Sequence, residues 1–296
     1  MTRVLLALFS VLARLPLGVL YVASDIIWPV LYYVARYRRR VVRTNLAACF
    51  PEKSHSELLT IERGFYRNFT DYVVETLKLL HISDDEMRRR MEFENVELID
   101  SLTAEGRSTV VYFGHTGNWE WAPSVTLHTA AKPSPTMVYA QVYRPLRNAA
   151  FDALMLRVRS RFRSVSIPKA VVLRTLLGWK RDGALSVTGF MSDQKPSHGD
   201  PAVVVDFLGR PTPFISGTET LARKLGMAAI YWDMYKSSRG HYRIVCRLIA
   251  RNVADTEPHE VTSRYAEMLE ETVRRNPAIW LWSHNRWKNA SEFIKS

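Results

Sequence analysis

From Ser54 onward the apolar positions recur at intervals of three and four residues, at Leu58, Ile61, Phe65, Phe69, Tyr72 and Val73. That period predicts a helix with one buried stripe, and Ser54 with Glu57 has the spacing of a capping box at its start. A shorter helix is expected over residues 96–102, ending near Gly106. Beyond it the pattern changes to short apolar runs rich in β-branched and aromatic residues, which read as strands: 109–113, 136–139, 164–167, 184–187, 203–208, 228–235 and 242–248. Helical periods fill several gaps between them, at 146–162, 170–180 and 218–225, and a last helix is expected over 258–274 before Asn276-Pro277. Strands alternating with helices predict an α/β fold with a mixed, mostly parallel sheet covered by helices.

The N-terminus follows another rule. Residues 4–13 carry no charge, Arg14 interrupts, and residues 15–35 carry Asp25 alone. A spanning helix needs about 20 apolar residues, so the length permits one. Pro16, Pro29 and Asp25 count against a clean span, because proline bends helices and a carboxylate in lipid is costly. Three arrangements stay open: one membrane span, a helix lying in the interface, or a bent hairpin. Arg36, Arg38, Arg39, Arg40 and Arg43 follow at once, which places the rest of the chain on the cytoplasmic face of a membrane and opposes a cleaved signal peptide. The expected organisation is an anchor with a basic flank over 1–43, a helical part over 44–106 and a catalytic domain over 107–296.

Charge and cysteines narrow the partners. With 41 Lys+Arg against 29 Asp+Glu the formal net charge is +12, so the surface suits an anionic partner. No zinc-finger spacing, RNP-like motif or helix-turn-helix is evident, and the position of the arginines favours a membrane over nucleic acid. Arg88-Arg89-Arg90 reads as a solvated face, with docking of an acidic carrier protein as the sharper alternative. Cys49 and Cys246 lie far apart, the eight histidines form no ligand pattern, and neither a disulfide scaffold nor a metal site is expected.

The candidate chemistry lies in Gly114-His115-Thr116-Gly117-Asn118-Trp119-Glu120, directly after the strand at 109–113. A strand that ends in a histidine and turns through glycine into a helix is where α/β folds place reactive groups. Five positions do not share one helix face. With the turn between them, Glu120 is expected to fold back and orient the His115 ring, fixing its tautomer so that it takes a proton from a hydroxyl. Trp119 and Trp121 read as packing around the site.

These residues and others in order along the chain resemble the lysophospholipid-acyltransferase superfamily, in its branch of bacterial lipid A late acyltransferases. His115 and Glu120 match the H-x4-D/E motif. Tyr143-Arg144-Pro145 with Asn148 matches a Y-R-P…N element, and Ser192-Asp193-Gln194 stands where that branch has P-D-Q. Phe207-Leu208-Gly209 through Pro213, then Gly217-Thr218 and Leu221-Ala222-Arg223, resembles the next block. Pro277 followed by Trp280-Leu281-Trp282-Ser283-His284-Asn285-Arg286-Trp287-Lys288 resembles the C-terminal W-x-H-x-R-x-K signature.

The resemblance implies a glycerolipid-acyltransferase-like fold at the bacterial inner membrane. It implies transfer of a fatty acyl chain from acyl carrier protein or acyl-coenzyme A to a hydroxyl of a lipid A precursor, with no cofactor and no metal. His115 and Glu120 would be catalytic, and Asn118, Tyr143, Arg144, Asp193 and Gln194 would contact substrates, Arg144 as a clamp on an acidic group. Oxyanion donors are expected from backbone N–H groups of 114–118 or from Arg144. No G-x-S-x-G elbow supplies a serine nucleophile, which separates this pattern from an α/β-hydrolase. The alternatives are an acyltransferase for another acceptor, such as a glycolipid, lysophospholipid or aminolipid, and a non-catalytic lipid-binding protein.

Overall fold

A computed structural model describes residues 9–294; of the first apolar run, residues 4–8 lie outside the described residues. The first helix, α1 (Leu17–Pro29), runs on as a π-helical turn (Val30–Val34). Its inner stripe is Leu17, Leu20 and Ser24, whereas Val19, Val22, Ile26, Ile27, Val30 and Val34 face outward. Arg36 and Arg38 take positive φ, which turns the chain into α2 (Arg39–Cys49). Then comes α3 (His55–Lys78), where the expected capping box forms: Ser54 Oγ accepts from the Glu57 N–H at 3.3 Å and the Glu57 carboxylate accepts from the Ser54 N–H at 2.8 Å.

The remaining elements are α4 (Asp84–Arg90), β1 (Met91–Glu94), α5 (Glu97–Ala104), β2 (Thr109–Phe113), β3 (Met137–Tyr143), α6 (Ala149–Arg159), β4 (Val165–Pro168), α7 (Val172–Arg181), β5 (Leu185–Met191), β6 (Ala202–Asp206), β7 (Pro211–Ile215), α8 (Gly217–Leu225), β8 (Ala228–Ser238), β9 (His241–Ala250) and α9 (Glu260–Arg275). Seven strands form one sheet in the order β1-β9-β8-β2-β5-β3-β4, parallel throughout except for the β8–β9 hairpin. The fold class expected from the alternation is the one observed.

Central strand β2 is buried along its whole length and serves both faces. Val110 and Tyr112 join a core with α9 and the helices on that side, while Val111 and Phe113 join a core with Trp121, Ile99 and Trp232 on the other. Two expectations need correction. The run 203–208 does not enter the sheet; as β6 it pairs with β7 in a separate antiparallel ribbon, where Pro211 and Pro213, which lack a backbone N–H, can sit. The segment after the His115 turn is a 3-10 helix (Trp119–Leu127) that contains Pro123, not an α-helix.

Polar bonds fasten α1 to α3. Ser24 donates to Thr70 and Asp71 at 2.9 and 2.8 Å, Tyr21 donates to Glu75 at 2.9 Å, and Arg239 from the β8–β9 turn bridges Asp25 and Asp71. Part of the basic flank is structural as well. Arg38 donates to the Ser283 carbonyl, the Arg43 Nε–H is shared between both carboxylate oxygens of Glu62, and Arg39 lies over Tyr32. Of the 88–90 run, Arg88 reaches the Leu127 carbonyl and Arg90 pairs with Glu86, at the helix end where cations offset the backbone dipole.

Replacement of Ser54 by alanine removes the cap of α3 and is expected to lower stability by about 1 kcal/mol in a chemical melt, with the slope unchanged.

Candidate active site

The parallel register of β2 and β5 sets the site. Phe113 lies opposite Met191, so two residues further on, at the C-terminal ends of both strands, His115 meets Asp193. The Asp193 carboxylate accepts from His115 Nδ1 at 2.6 Å, from the His115 backbone N–H at 2.8 Å and from Trp280 Nε1 at 2.9 Å. It is 3% exposed, so every lone pair so engaged is shielded from water. Burial pushes the Asp193 carboxyl up, but the His115 charge and the hydrogen bonds from His115 and Trp280 outweigh it and bring the group down to about 2 from an ordinary 3.8. A carboxylate on Nδ1 keeps the proton there and leaves the Nε2 lone pair free. Gln194 Nε2 lies 3.2 Å from that Nε2 and is the donor that this tautomer calls for.

Glu120 does not hold the His115 ring, as its place in the motif led us to expect. Its carboxylate forms a bidentate pair with Arg159 from α6, at 2.9 and 2.6 Å, and both groups are largely buried. The 3-10 helix turns Glu120 away from the ring and toward α6, and Asp193 already occupies Nδ1. The expected backbone donors are also partly spent. The His115 N–H serves Asp193, and the Gly117 N–H serves Ile279 O in a short antiparallel pairing that also joins Leu281 N–H to His115 O. Gly114 leaves no room for a side chain, since a Cβ would stand 2.5 Å from Leu269 Cδ1 and 3.4 Å from Asp193 Oδ2.

The other expected residues divide. Asn118 is buried and donates to Glu75 at 2.9 Å, so it braces the turn. Tyr143 ends β3 with its ring 5.8 Å from the Arg159 guanidinium. Arg144 is exposed beyond β3, where its charge is felt by Asp200, and is not drawn into the His115 cluster. Trp119, expected to pack around the site, stacks on Tyr72 with ring centroids 4.1 Å apart and stands edge-on to His115 at 5.1 Å. Trp280, quoted within the C-terminal signature, reaches the site through Asp193. Arg159 carried no signal in the sequence and comes from α6.

Beside Glu120 and Arg159 opens a narrow pocket, walled by Phe113, Val125, Tyr139, Val187, Met191 and Trp232. Its lining is apolar but for its polar edge, as a site for a hydrocarbon chain requires. Among the described residues no cluster of metal-binding side chains occurs.

The sequence model of the bacterial lipid A biosynthesis acyltransferases matches residues 2–289. This chain belongs to that family. It is similar to the lipid A biosynthesis acyltransferase of Haemophilus influenzae, with 24% identity over 84% of this chain and 75% of the relative. It is also similar to the lipid A biosynthesis palmitoleoyltransferase of Escherichia coli, with 23% identity over 92% and 89%. An acyltransferase therefore owns the His115–Asp193 pair and the apolar pocket next to it.

The C-terminal signature of the acyltransferase backs this site. His284 Nε2 accepts the Lys195 N–H at 3.1 Å, which requires a neutral ring, and burial lowers the imidazole to about 4 from 6.5. The unfolded chain binds a proton there between pH 6.5 and 4 and the folded chain does not. Stability contributed by His284 is full above pH 6.5 and is lost as the pH falls toward 4. Urea melts across that window should show unfolding free energy dropping with pH, and His284→Gln should flatten the drop.

Proposed function

We propose that the protein is a membrane-associated O-acyltransferase that moves a fatty acyl chain from an acyl thioester to a hydroxyl of a lipid A precursor, with His115 as general base and Asp193, not Glu120, as its orienting carboxylate. The observation that carries this reading is the Nδ1–Asp193 bond of 2.6 Å beside an apolar pocket. His115 Nε2 takes the proton of the acceptor hydroxyl, in the place that the Gln194 amide now fills. The alkoxide oxygen attacks the thioester carbonyl while the imidazolium is balanced by Asp193. The tetrahedral centre collapses, the thiolate leaves, and the His115 proton returns to sulfur, so no acyl-enzyme forms.

Glu120 has a different task in this scheme. Its bidentate grip fixes Arg159 at the wall of the pocket, where the guanidinium offers positive charge to the oxyanion. The palmitoleoyl group named for the Escherichia coli relative is of the class that the apolar pocket suits. The donor carries its acyl chain as a thioester on acyl carrier protein or coenzyme A.

Membrane attachment through α1 belongs to the same reading. The segment Leu17–Val34 is long and apolar enough to cross a bilayer. What favours a helix lying in the interface is that one face is bonded along its length to α3, which bears Arg63, Arg67, Asp71 and Glu75, while the opposite face is uniformly apolar. The paired substitution Val22→Asp with Ile26→Asp should release the protein from flotation with anionic vesicles and leave its thermal melt close to wild type.

A transfer assay with both thioester donors tests the chemistry. His115→Ala should lose roughly a hundredfold to ten-thousandfold in kcat with the fold intact. Asp193→Asn should both lower kcat and move the acid limb of the pH–rate profile downward, because the imidazole loses its carboxylate. Glu120→Gln should lower kcat with that limb unmoved. A shift of the limb in Glu120→Gln and none in Asp193→Asn would reverse the assignment.

A further inference from the structure

A second, wider opening lies beside α1, with a volume of about 620 Å³. Its walls are Trp28 from α1, Arg67, Asn68 and Asp71 from α3, and Lys236 and Arg239 from the β8–β9 hairpin. Two of the cations are tied down. Arg239 bridges Asp71 and Asp25 at 2.7 and 2.8 Å, and Lys236 donates to Asn68 at 2.6 Å. Arg67 differs: its guanidinium lies 4.6 Å from the centroid of the Trp28 ring, is exposed, and makes no hydrogen bond or ion pair among the described residues, although its charge is felt by Asp25 at the chamber wall. A guanidinium over an indole face has no hydrogen-bond acceptor there to occupy its N–H groups, and its planar fork fits phosphate.

The opening adjoins the reaction site. It shares Asn68 and Ile279 with a narrow cleft lined by Tyr72, Gly117 and Trp119. Trp119 in turn lines the apolar pocket and stands edge-on to His115. A chamber with three cations and two carboxylates, an aromatic cleft, His115 and an apolar pocket are thus neighbours through shared side chains. The apolar outer face of α1, with Ile26 and Ile27 exposed, borders the chamber.

We infer that this chamber binds the headgroup of the acceptor, a phosphorylated sugar lipid, with a phosphate monoester on the Arg67 fork. The inference rests on the acyl-transfer reading above. Asp25 and Asp71 largely offset Lys236 and Arg239, which leaves Arg67 as the cation open to the phosphate, and Ser238 and Asn276 offer polar groups to the sugar. The lipid chains leave along the apolar face of α1, and the hydroxyl to be acylated enters the cleft toward His115. The two substrates then approach the base from opposite ends, the donor chain from the apolar pocket and the acceptor from the chamber.

The test is a kinetic comparison in detergent micelles with the full chain, using the phosphorylated sugar-lipid acceptor and the same lipid after phosphatase treatment. Arg67→Ala should raise KM for the phosphorylated acceptor about tenfold, the factor that 1.4 kcal/mol of lost binding makes. KM for the acyl thioester should stay near wild type, and Arg67→Lys should recover only part, because an ammonium cannot form the fork. The dephosphorylated lipid should not distinguish wild type from Arg67→Ala. An unchanged KM, or an equal rise with both lipids, overturns the assignment. Vesicles with and without phosphatidylglycerol separate the other source of phosphate: if Arg67→Ala loses vesicle flotation while its KM in micelles holds, the cation serves the membrane and the acceptor site is refuted. Failure of the wild type to transfer to any acceptor would count against the acyl-transfer reading instead. Binding of the phosphorylated lipid, measured without donor in wild type and Arg67→Ala, still decides on Arg67 in that event.

Discussion

A buried carboxylate is costly unless each of its oxygens is met by a donor. Asp193 resolves that cost with three N–H groups from two other segments: two from the turn after β2 and the indole of Trp280. The loop after β5, the turn after β2 and the C-terminal segment are therefore locked at one point. A Cβ at Gly114 would stand 2.5 Å from Leu269 Cδ1, so a side chain there would have to displace the end of Leu269. The orientation of His115 and its tautomer follow from how this one group is satisfied.

A second buried carboxylate does related work at a distance. Glu75 accepts from Tyr21 of α1, from Asn118 of the catalytic turn and from Tyr242 of β9, at 2.8 to 2.9 Å, and its backbone carbonyl accepts from Trp121. Helix α1 and the turn after β2 thus share one buried carboxylate. A carboxylate met by three donors from three elements favours one arrangement of those elements.

Local periodicity was enough to find β2, β3, β5, β8 and β9, the capping box of α3 and the strand-to-turn position of His115. It was not enough to find β1, four residues long with only Met91 and Phe93 apolar, or to separate β6 from the main sheet. The pairing of His115 with Asp193 depends on the register of two strands more than 70 residues apart, and no short-range pattern encodes a register. Glu120 misled for the complementary reason. Its distance from His115 in sequence is short, but the direction of a side chain is set by the helix type that carries it and by Arg159, which comes from α6. The resemblance of motifs pointed to both residues, and the structure gives them different partners, Asp193 for His115 and Arg159 for Glu120.

The antiparallel contact of residues 115–117 with 279–281 has a consequence for biosynthesis. Helices α1 and α3 and all seven strands of the sheet precede residue 251, so a chain still emerging from the ribosome can begin to fold as soon as these are made. Its turn at residues 115–117 then lacks the backbone partners of Ile279 and Leu281 and the Trp280 indole that Asp193 needs. Translation itself thus imposes an order in which the sheet and its helices come first and the turn is completed only when the C-terminal segment has been laid across it.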